Sequence, residues 1–247
     1  MNLRDCRGDE RAEAIAQAVR ALDRGELVVL PTDTVYGVGA KPGDAAAVAA
    51  LLQVKGRSRA QPPPVLVAST QQALELADAV TPAARQLARH FWPGGLTLVL
   101  QAMPDLGWDL GDRPGTVALR VPDHPVASEL LRAAGPLAVS SANRSGLPPA
   151  LSAQAAAEYL GGSVAVYLDA GTAPGGTAST VVDATGPVPR ILRTGAITAN
   201  ALAECLGGAL GAALLAAAVD APAPPAHGSP DEPPAPPTRP DTLVVGA

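Results

Sequence analysis

Short apolar runs alternate with segments of helical periodicity along most of this 247-residue chain, and that alternation restricts its fold more than any other feature. From Glu10 to Leu22, apolar residues recur at helical spacing and stop at Gly25. Leu27 to Leu30 is a short apolar run ending at Pro31, which predicts a buried strand. Further helices are predicted from Ala45 to Val54, Gln71 to Asp78, Pro82 to Phe91, His124 to Ala133 and Ala153 to Leu160. Further strands are predicted from Val65 to Val67, Leu96 to Gln101, Thr116 to Val121 and Leu137 to Ser140. Three more follow, from Val164 to Leu168, Thr180 to Asp183 and Arg190 to Arg193. The pattern specifies α/β architecture, with helices covering a mainly buried sheet. Some neighbouring strands have no helix between them, so the sheet is expected to be mixed.

From Ala221 to Pro240 the composition turns to Pro, Ala, Asp and Glu. Such a segment buries too little apolar surface to offset its ordering entropy. The expectation is therefore one folded domain over residues 1–219 and a disordered Pro/Ala-rich C-terminal tail over 220–247. Ala201 to Val219 is apolar but Ala-rich and interrupted by Glu204. A membrane span needs about 20 strongly apolar residues, so a helix packed on the domain is expected, with no membrane partner. The N-terminus is charged and predicts no signal peptide. Cys6 and Cys205 form no C-x-x-C and have no His at ligand spacing, so incidental thiols in a reducing cytoplasm are expected.

Composition also narrows the function. Aromatics make up 2% of the chain, too few to stack bases as single-strand binders do. The formal net charge is -5 and no Lys/Arg block is present, which argues against direct, tight RNA binding. The sequence lacks G-x-x-x-x-G-K-[ST], and Gly37-Val-Gly39 continues to Gly43 with the wrong spacing for G-x-G-x-x-G. It also lacks G-x-S-x-G and H-E-x-x-H. His124 follows a strand at Pro122-Asp-His-Pro125, where capping of the next helix by Asp123 is the simplest reading. No metal site is expected.

What remains is a set of polar loops at the ends of apolar runs, where α/β proteins place ligands. Pro31-Thr-Asp-Thr-Val-Tyr-Gly37 packs two hydroxyls, a carboxylate and a phenol into seven residues; a turn and a ligand loop both fit it. Lys55-Gly-Arg57-Ser-Arg59 closes a predicted helix, where cations are favourable on dipole grounds alone, and heads a Pro-rich segment suited to a mobile anion-binding loop. Ser140-Ser-Ala-Asn-Arg-Ser-Gly146 offers small donors and a glycine that let backbone approach a nucleotide. Arg120 sits in an apolar strand, where an unpaired charge is costly. Ser179-Thr180 and Arg193-Thr-Gly195 complete the set. Cations and hydroxyls recurring at strand ends point to an anionic ligand with a polar partner.

These loops, in this order, resemble the YrdC-like family, the L-threonylcarbamoyladenylate synthases. The resemblance is carried by PTDTVYGVGA from Pro31, the K-x-R of Lys55 and Arg57, WPGGLTLVL from Trp92 and TVALRVPDHP from Thr116. It continues with the S-x-N of Ser141 and Asn143, STVVD from Ser179 and LRTG from Leu192, and it spans roughly Ala12 to Thr198. It implies a twisted open mixed sheet flanked by helices around a positively charged cavity. It also implies synthesis of threonylcarbamoyl-AMP and pyrophosphate from ATP, L-threonine and bicarbonate. Mg²⁺ is expected to accompany the triphosphate, and a downstream threonylcarbamoyl transferase complex to pass the group to tRNA. Residue by residue, the resemblance puts Thr34, Arg120 and Ser179 on L-threonine. It puts Lys55, Arg57, Gln61, Thr116, Val139, Ser141, Asn143 and Arg193 at ATP, with Lys55 and Arg57 as the catalytic cations.

The chain departs from the family pattern at Gln61, where an Asn is usual, at Leu66, where a His often contacts threonine, and at Pro149, where a Ser or Thr is usual. These departures motivate a competing reading, a non-catalytic relative that binds nucleotide or RNA in the same cavity, although the negative net charge argues against an RNA-only function. A third reading, carbamoyl transfer to another acceptor, belongs to long multidomain chains. The chemistry itself needs no protein nucleophile: carbamate must meet the α-phosphate, and positioned cations offset the repulsion of two anions.

Overall fold

The computed structural model of the chain describes residues 2–112 and 115–219. The expected tail over 220–247 lies outside the described residues. In chain order the elements are β1 (Leu3–Asp5), α1 (Arg11–Asp23), β2 (Val28–Leu30), β3 (Gly37–Ala40), α2 (Ala45–Lys55) and β4 (Val65–Leu66). Next come α3 (Thr70–Glu75), α4 (Pro82–Phe91), β5 (Leu96–Gln101), β6 (Thr116–Arg120), α5 (Pro125–Ala134) and β7 (Leu137–Ser141). After α6 (Ala153–Leu160) the chain runs through β8 (Val166–Asp169), β9 (Thr180–Asp183), β10 (Arg190–Arg193), α7 (Ala199–Leu206) and α8 (Gly208–Val219). No described helix is long and apolar enough to cross a membrane.

The strands form one mixed sheet in the order β1-β8-β2-β3-β7-β4-β6-β5-β9-β10. β8 runs parallel to β1 and β2, β4 to β6, and β5 to β9. The pairs β2–β3, β3–β7, β4–β7, β5–β6 and β9–β10 are antiparallel. Side chains alternate across each strand, so the sheet separates two cores. Leu27 and Val29 face a core built with α2, α4, α6 and α7, whereas Val28 and Leu30 face a smaller core under α1 and α5.

That alternation also creates the site. On β5 and β6, Leu96, Leu98, Leu119 and Val117 point into the larger core. Thr97 and Arg120 therefore point to the other face, as Leu66 and Val139 do at the edge of the smaller core. The stretch of this face beyond α1 and α5 is polar and forms the floor of a cavity.

Local chemistry sets the helix limits. Asp44 caps α2 by accepting from the N–H groups of Ala46 and Ala47. Ser69, Thr81, Ser152 and Thr198 cap α3, α4, α6 and α7 in the same way, each contact being worth about 1 kcal/mol. α2 stops at Gly56, whose φ of 62° suits glycine, and the Arg57 N–H then bonds the Leu52 carbonyl at 2.9 Å.

Several details depart from the sequence expectation. β1 and β3 were not among the expected strands. Gly37-Val-Gly39, weighed in the sequence as a phosphate motif, is a buried strand between β2 and β7. A Cβ on Gly37 would stand 2.5 Å from Val139 Cγ1, and one on Gly39 would stand 3.3 Å from Val139 Cγ2. Both glycines thus make room for the Val139 side chain. The expected C-terminal helix is two helices, because Gly207 takes φ 67° after α7. Asp123 does not cap α5: His124 holds the cap position without a side-chain bond. The Asp123 N–H instead donates to Asp33 Oδ1 at 3.0 Å.

Candidate functional site

Two hollows meet on the polar face. The inner one has a volume of about 70 Å³ and is walled by Thr34, Leu66, Arg120, Val139 and Ser179, among others. The outer one measures about 680 Å³ and is lined by Gln61, Asn143, Leu147, Pro149 and the Gly176–Ala178 backbone. Arg57, Ser141, Ala178 and Arg193 line both, so they form the wall the two compartments share.

The inner compartment is ordered by Arg120. Its Nε donates to the Gly94 carbonyl at 2.9 Å, Nη1 to Thr34 Oγ1 at 2.9 Å and Nη2 to Asp33 Oδ1 at 2.6 Å. Three of five N–H groups are used, and two remain for a ligand. Asp33 answers the question posed by a charge in an apolar strand: the buried guanidinium is paired. Burial lowers the Arg120 pKa while Asp33 opposes that shift.

A directed chain of hydroxyls continues from Arg120. Thr32 Oγ1 donates its only proton to the Val35 carbonyl at 2.6 Å. In the 3.0 Å contact between Thr32 Oγ1 and Thr34 Oγ1, the donor is therefore Thr34. Thr34 Oγ1 also accepts from Arg120, which leaves it one lone pair for a donor such as an amine. On the opposite wall, Ser179 Oγ lies 2.8 Å from Thr97 Oγ1 and accepts from Arg193 Nη2 at 3.1 Å. Arg193 also donates to the Ser179 carbonyl through Nε and Nη2.

The electrostatics are lopsided. Among the described residues, no Asp or Glu lines either compartment. Asp33 offsets Arg120, but among the described residues Arg193 makes no ion pair and is bonded only to Ser179. The Arg57 side chain has no hydrogen-bond or ion-pair partner among the described residues, and burial lowers its pKa. Burial, then Arg57, then Arg120 lower that of Arg193. A chain of net charge -5 therefore presents two uncompensated guanidinium groups at one shared wall.

The structure brings together Thr34, Arg120, Ser179, Val139, Arg57, Ser141 and Arg193, and it adds Gln61 and Asn143 in the outer compartment. Lys55 and Thr116 stand apart from them. Lys55 Nζ is buried beneath the Ser141–Asn143 turn, bonded to the Ser141 carbonyl at 2.5 Å, Ser141 Oγ at 3.3 Å and Asn143 Oδ1 at 2.7 Å, and to the Asn143 carbonyl. Burial and then Arg57 push its pKa down to about 7. Lys55 therefore shapes the turn and does not line either compartment. Thr116 opens β6 and lines a separate hollow of about 340 Å³ with Pro62 and Trp108.

Sequence reasoning placed Thr32, Asp33 and Ser140 in candidate ligand loops without giving them a role and passed over Thr97; all four are in or at the inner compartment. A usable signal was Thr97, a hydroxyl at the alternate position of the apolar run Leu96 to Leu100. The phenol of Tyr36, read as part of a ligand loop, instead donates to the Gly171 carbonyl at 2.6 Å and accepts from the Ala170 N–H at 3.1 Å. It fastens the end of β8. The three departures from the family pattern all fall on the walls: Leu66 on the inner, Gln61 and Pro149 on the outer.

Comparison with known proteins places this geometry in a family. A family model named Sua5/YciO/YrdC, described as "Telomere recombination", matches residues 20–195. A putative threonylcarbamoyl-AMP synthase of Mycobacterium tuberculosis is 53% identical over 204 residues, covering 82% of this chain and 94% of its own length. The threonylcarbamoyl-AMP synthase of Bacillus subtilis is 39% identical over 195 residues, 78% of this chain and 56% of that protein. Among solved structures, Pyrococcus abyssi Sua5 complexed with L-threonine superposes with a TM-score of 0.74 at 35% identity, covering 83% of this chain and 60% of that one. Escherichia coli YciO shares the fold, with a TM-score of 0.72 at 23% identity. The chain belongs to the Sua5/YciO/YrdC family.

Proposed function

We propose that the chain is an L-threonylcarbamoyladenylate synthase, a nucleotidyltransferase that makes threonylcarbamoyl-AMP and pyrophosphate from ATP, L-threonine and bicarbonate. The observation that carries this reading is the wall shared by a small and a large compartment, with Arg57 and Arg193 on both sides of it and no carboxylate on either. Two anions must be joined in this reaction, and a shared cationic wall is where they would meet. The names of the relatives support the same reading.

The inner compartment suits the amino acid. Two free N–H groups of Arg120 match a carboxylate, and the lone pair left on Thr34 Oγ1 matches an amine. The P. abyssi neighbour was solved with L-threonine. The outer compartment suits the nucleotide, with the apolar sides of Pro62, Leu147 and Pro149 beside Gln61 and Asn143. The threonine amine attacks bicarbonate carbon and water leaves, giving the carbamate. A carbamate oxygen then attacks the α-phosphorus, and the bond to the bridging oxygen breaks as pyrophosphate departs. Arg57 and Arg193 offset the charge that gathers on the phosphates, each such contact contributing about 1.5–3 kcal/mol.

The described residues hold no group of three or more His, Cys, Asp or Glu able to cage a metal. In this reading Mg²⁺ enters as part of the substrate, held by triphosphate oxygens. The product is a reactive mixed anhydride, and a separate threonylcarbamoyl transferase complex is its consumer, with tRNA contact left mainly to that complex. A cytoplasmic setting, where ATP is available and Cys6 and Cys205 stay reduced, accords with the two free thiols. The test is pyrophosphate release by the purified chain. Release that needs both L-threonine and bicarbonate supports the synthase, and ATP binding without release favours the non-catalytic relative.

A further inference from the structure

Because the Arg57 side chain has no hydrogen-bond or ion-pair partner among the described residues, its position is decided by its backbone. On one side, the left-handed Gly56 and the bond from the Arg57 N–H to Leu52 O tie the loop to α2. On the other side the tie comes from a distant segment, residues 103–112. The Asp112 N–H donates to the Arg59 carbonyl at 2.9 Å. The Arg59 side chain forks back onto the same segment, with Nη2 2.5 Å from Asp109 Oδ1 and Nε 3.1 Å from Asp112 Oδ1. Gly111, at φ 142°, lies so close that a Cβ would collide with the Arg59 carbonyl and come within 3.4 Å of Pro62 Cβ. The segment is itself held, by Leu110 in the larger core and by the Met103 N–H on the Leu76 carbonyl at 3.1 Å.

We infer that residues 103–112 are a brace for the Arg57 loop, and that Gly111 and Arg59 are positioning residues for nucleotide binding. This rests on the reading of the outer compartment as the nucleotide site. Magnitudes rank the two contributions. Arg59, Asp109 and Asp112 are 47%, 50% and 60% exposed, so their ion pairs are screened by water and fade with salt. The backbone bond and the fit of Gly111 against it are insensitive to salt and set the position. Gly111 thus has the larger effect, and Arg59 makes the loop's placement salt-dependent.

The experiment is equilibrium binding of ATP and, separately, of L-threonine to the full chain, wild type against Gly111→Ala, Arg57→Ala and the double variant. Gly111→Ala is expected to weaken ATP binding about tenfold, as a small misplacement of a key cation does, with L-threonine affinity unchanged. In the Arg57→Ala background the same substitution should add less than about twofold, because it acts through Arg57. Arg59→Ala, which leaves the glycine geometry intact, should weaken ATP binding about threefold at low salt and match wild type near 1 M salt. Equal losses in both backgrounds, a matching loss of L-threonine binding, or no loss in either variant overturns the brace. A wild-type chain that binds no ATP overturns the nucleotide reading itself, and the brace with it.

Discussion

Lys55 Nζ sits 2.7 Å from Asn143 Oδ1 and also bonds the Asn143 carbonyl, so the one cation of the K-x-R motif that is fully buried holds the S-x-N turn from below. Arg57, two residues on, is the member that lines the cavity. The two motifs are therefore one unit, in which the lysine orients and the arginine meets the ligand.

Removing Lys55 should cost stability as well as activity. Lys55→Met leaves the carbonyl and Oδ1 of Asn143 without their donor, at about 1–3 kcal/mol for an orphaned group, while the Ser141 carbonyl keeps the Asn143 N–H. Urea unfolding measures the loss. An unchanged midpoint would contradict the role given to Lys55.

The same residue predicts a pH dependence. Burial and Arg57 move its pKa from the ordinary lysine value of 10.5 down to about 7. Between those values the unfolded chain binds the proton more tightly than the folded one, so stability rises as pH climbs through that window. Below pH 7 both states are charged and the destabilisation is complete. Unfolding free energies of wild type minus Lys55→Met, taken from pH 6 to 9, should increase with pH. A flat difference would show that the four surrounding oxygens hold the proton.

Arg120 and Asp33 are a buried pair, the arginine 7% and the aspartate 16% exposed at their side chains. Asp33→Asn leaves the guanidinium uncompensated and is expected to destabilise the fold by about 3–5 kcal/mol. Arg120→Lys keeps the charge but lacks the fork that spans Gly94, Thr34 and Asp33. Its KM for L-threonine should rise at least about tenfold while its KM for ATP changes little. Equal effects on both constants would remove Arg120 from the inner compartment.

Gly37→Ala tests the floor of the site. The new methyl would stand 2.5 Å from Val139 Cγ1, an overpacking expected to cost about 1–3 kcal/mol. Val139→Ala empties that space, so the double variant should be more stable than the sum of the single losses predicts. Additive thermal shifts would contradict the pairing of these two residues.

How much of this was legible depended on the kind of information each residue carries. Apolar runs and helical periodicity located strands such as Leu96 to Gln101 and helices such as Pro82 to Phe91, because both signals are local. β3 was hidden because its glycines serve Val139, one strand away but a hundred residues along the chain. β1 is three residues long and shows no period. Single polar positions in apolar runs marked Arg120, which lines the inner compartment, while its partner Asp33 lay in a loop that also reads as a turn. Lys55 and Tyr36 looked like ligand groups because their residue types suit ligands. Only the fold reveals that their polar ends are occupied by the Ser141–Asn143 turn and by Gly171. The brace over 103–112 joins segments fifty residues apart, which no local pattern announces.

The measurement that bears most directly on the shared cationic wall is pyrophosphate release from ATP by wild type and by Arg57→Ala, with L-threonine and bicarbonate each present or withheld. Release should need both co-substrates in the wild type and fall about 10²–10³-fold in Arg57→Ala, the usual cost of losing one preorganised charge donor. Release that proceeds without L-threonine, or that survives the loss of Arg57, would contradict the assignment.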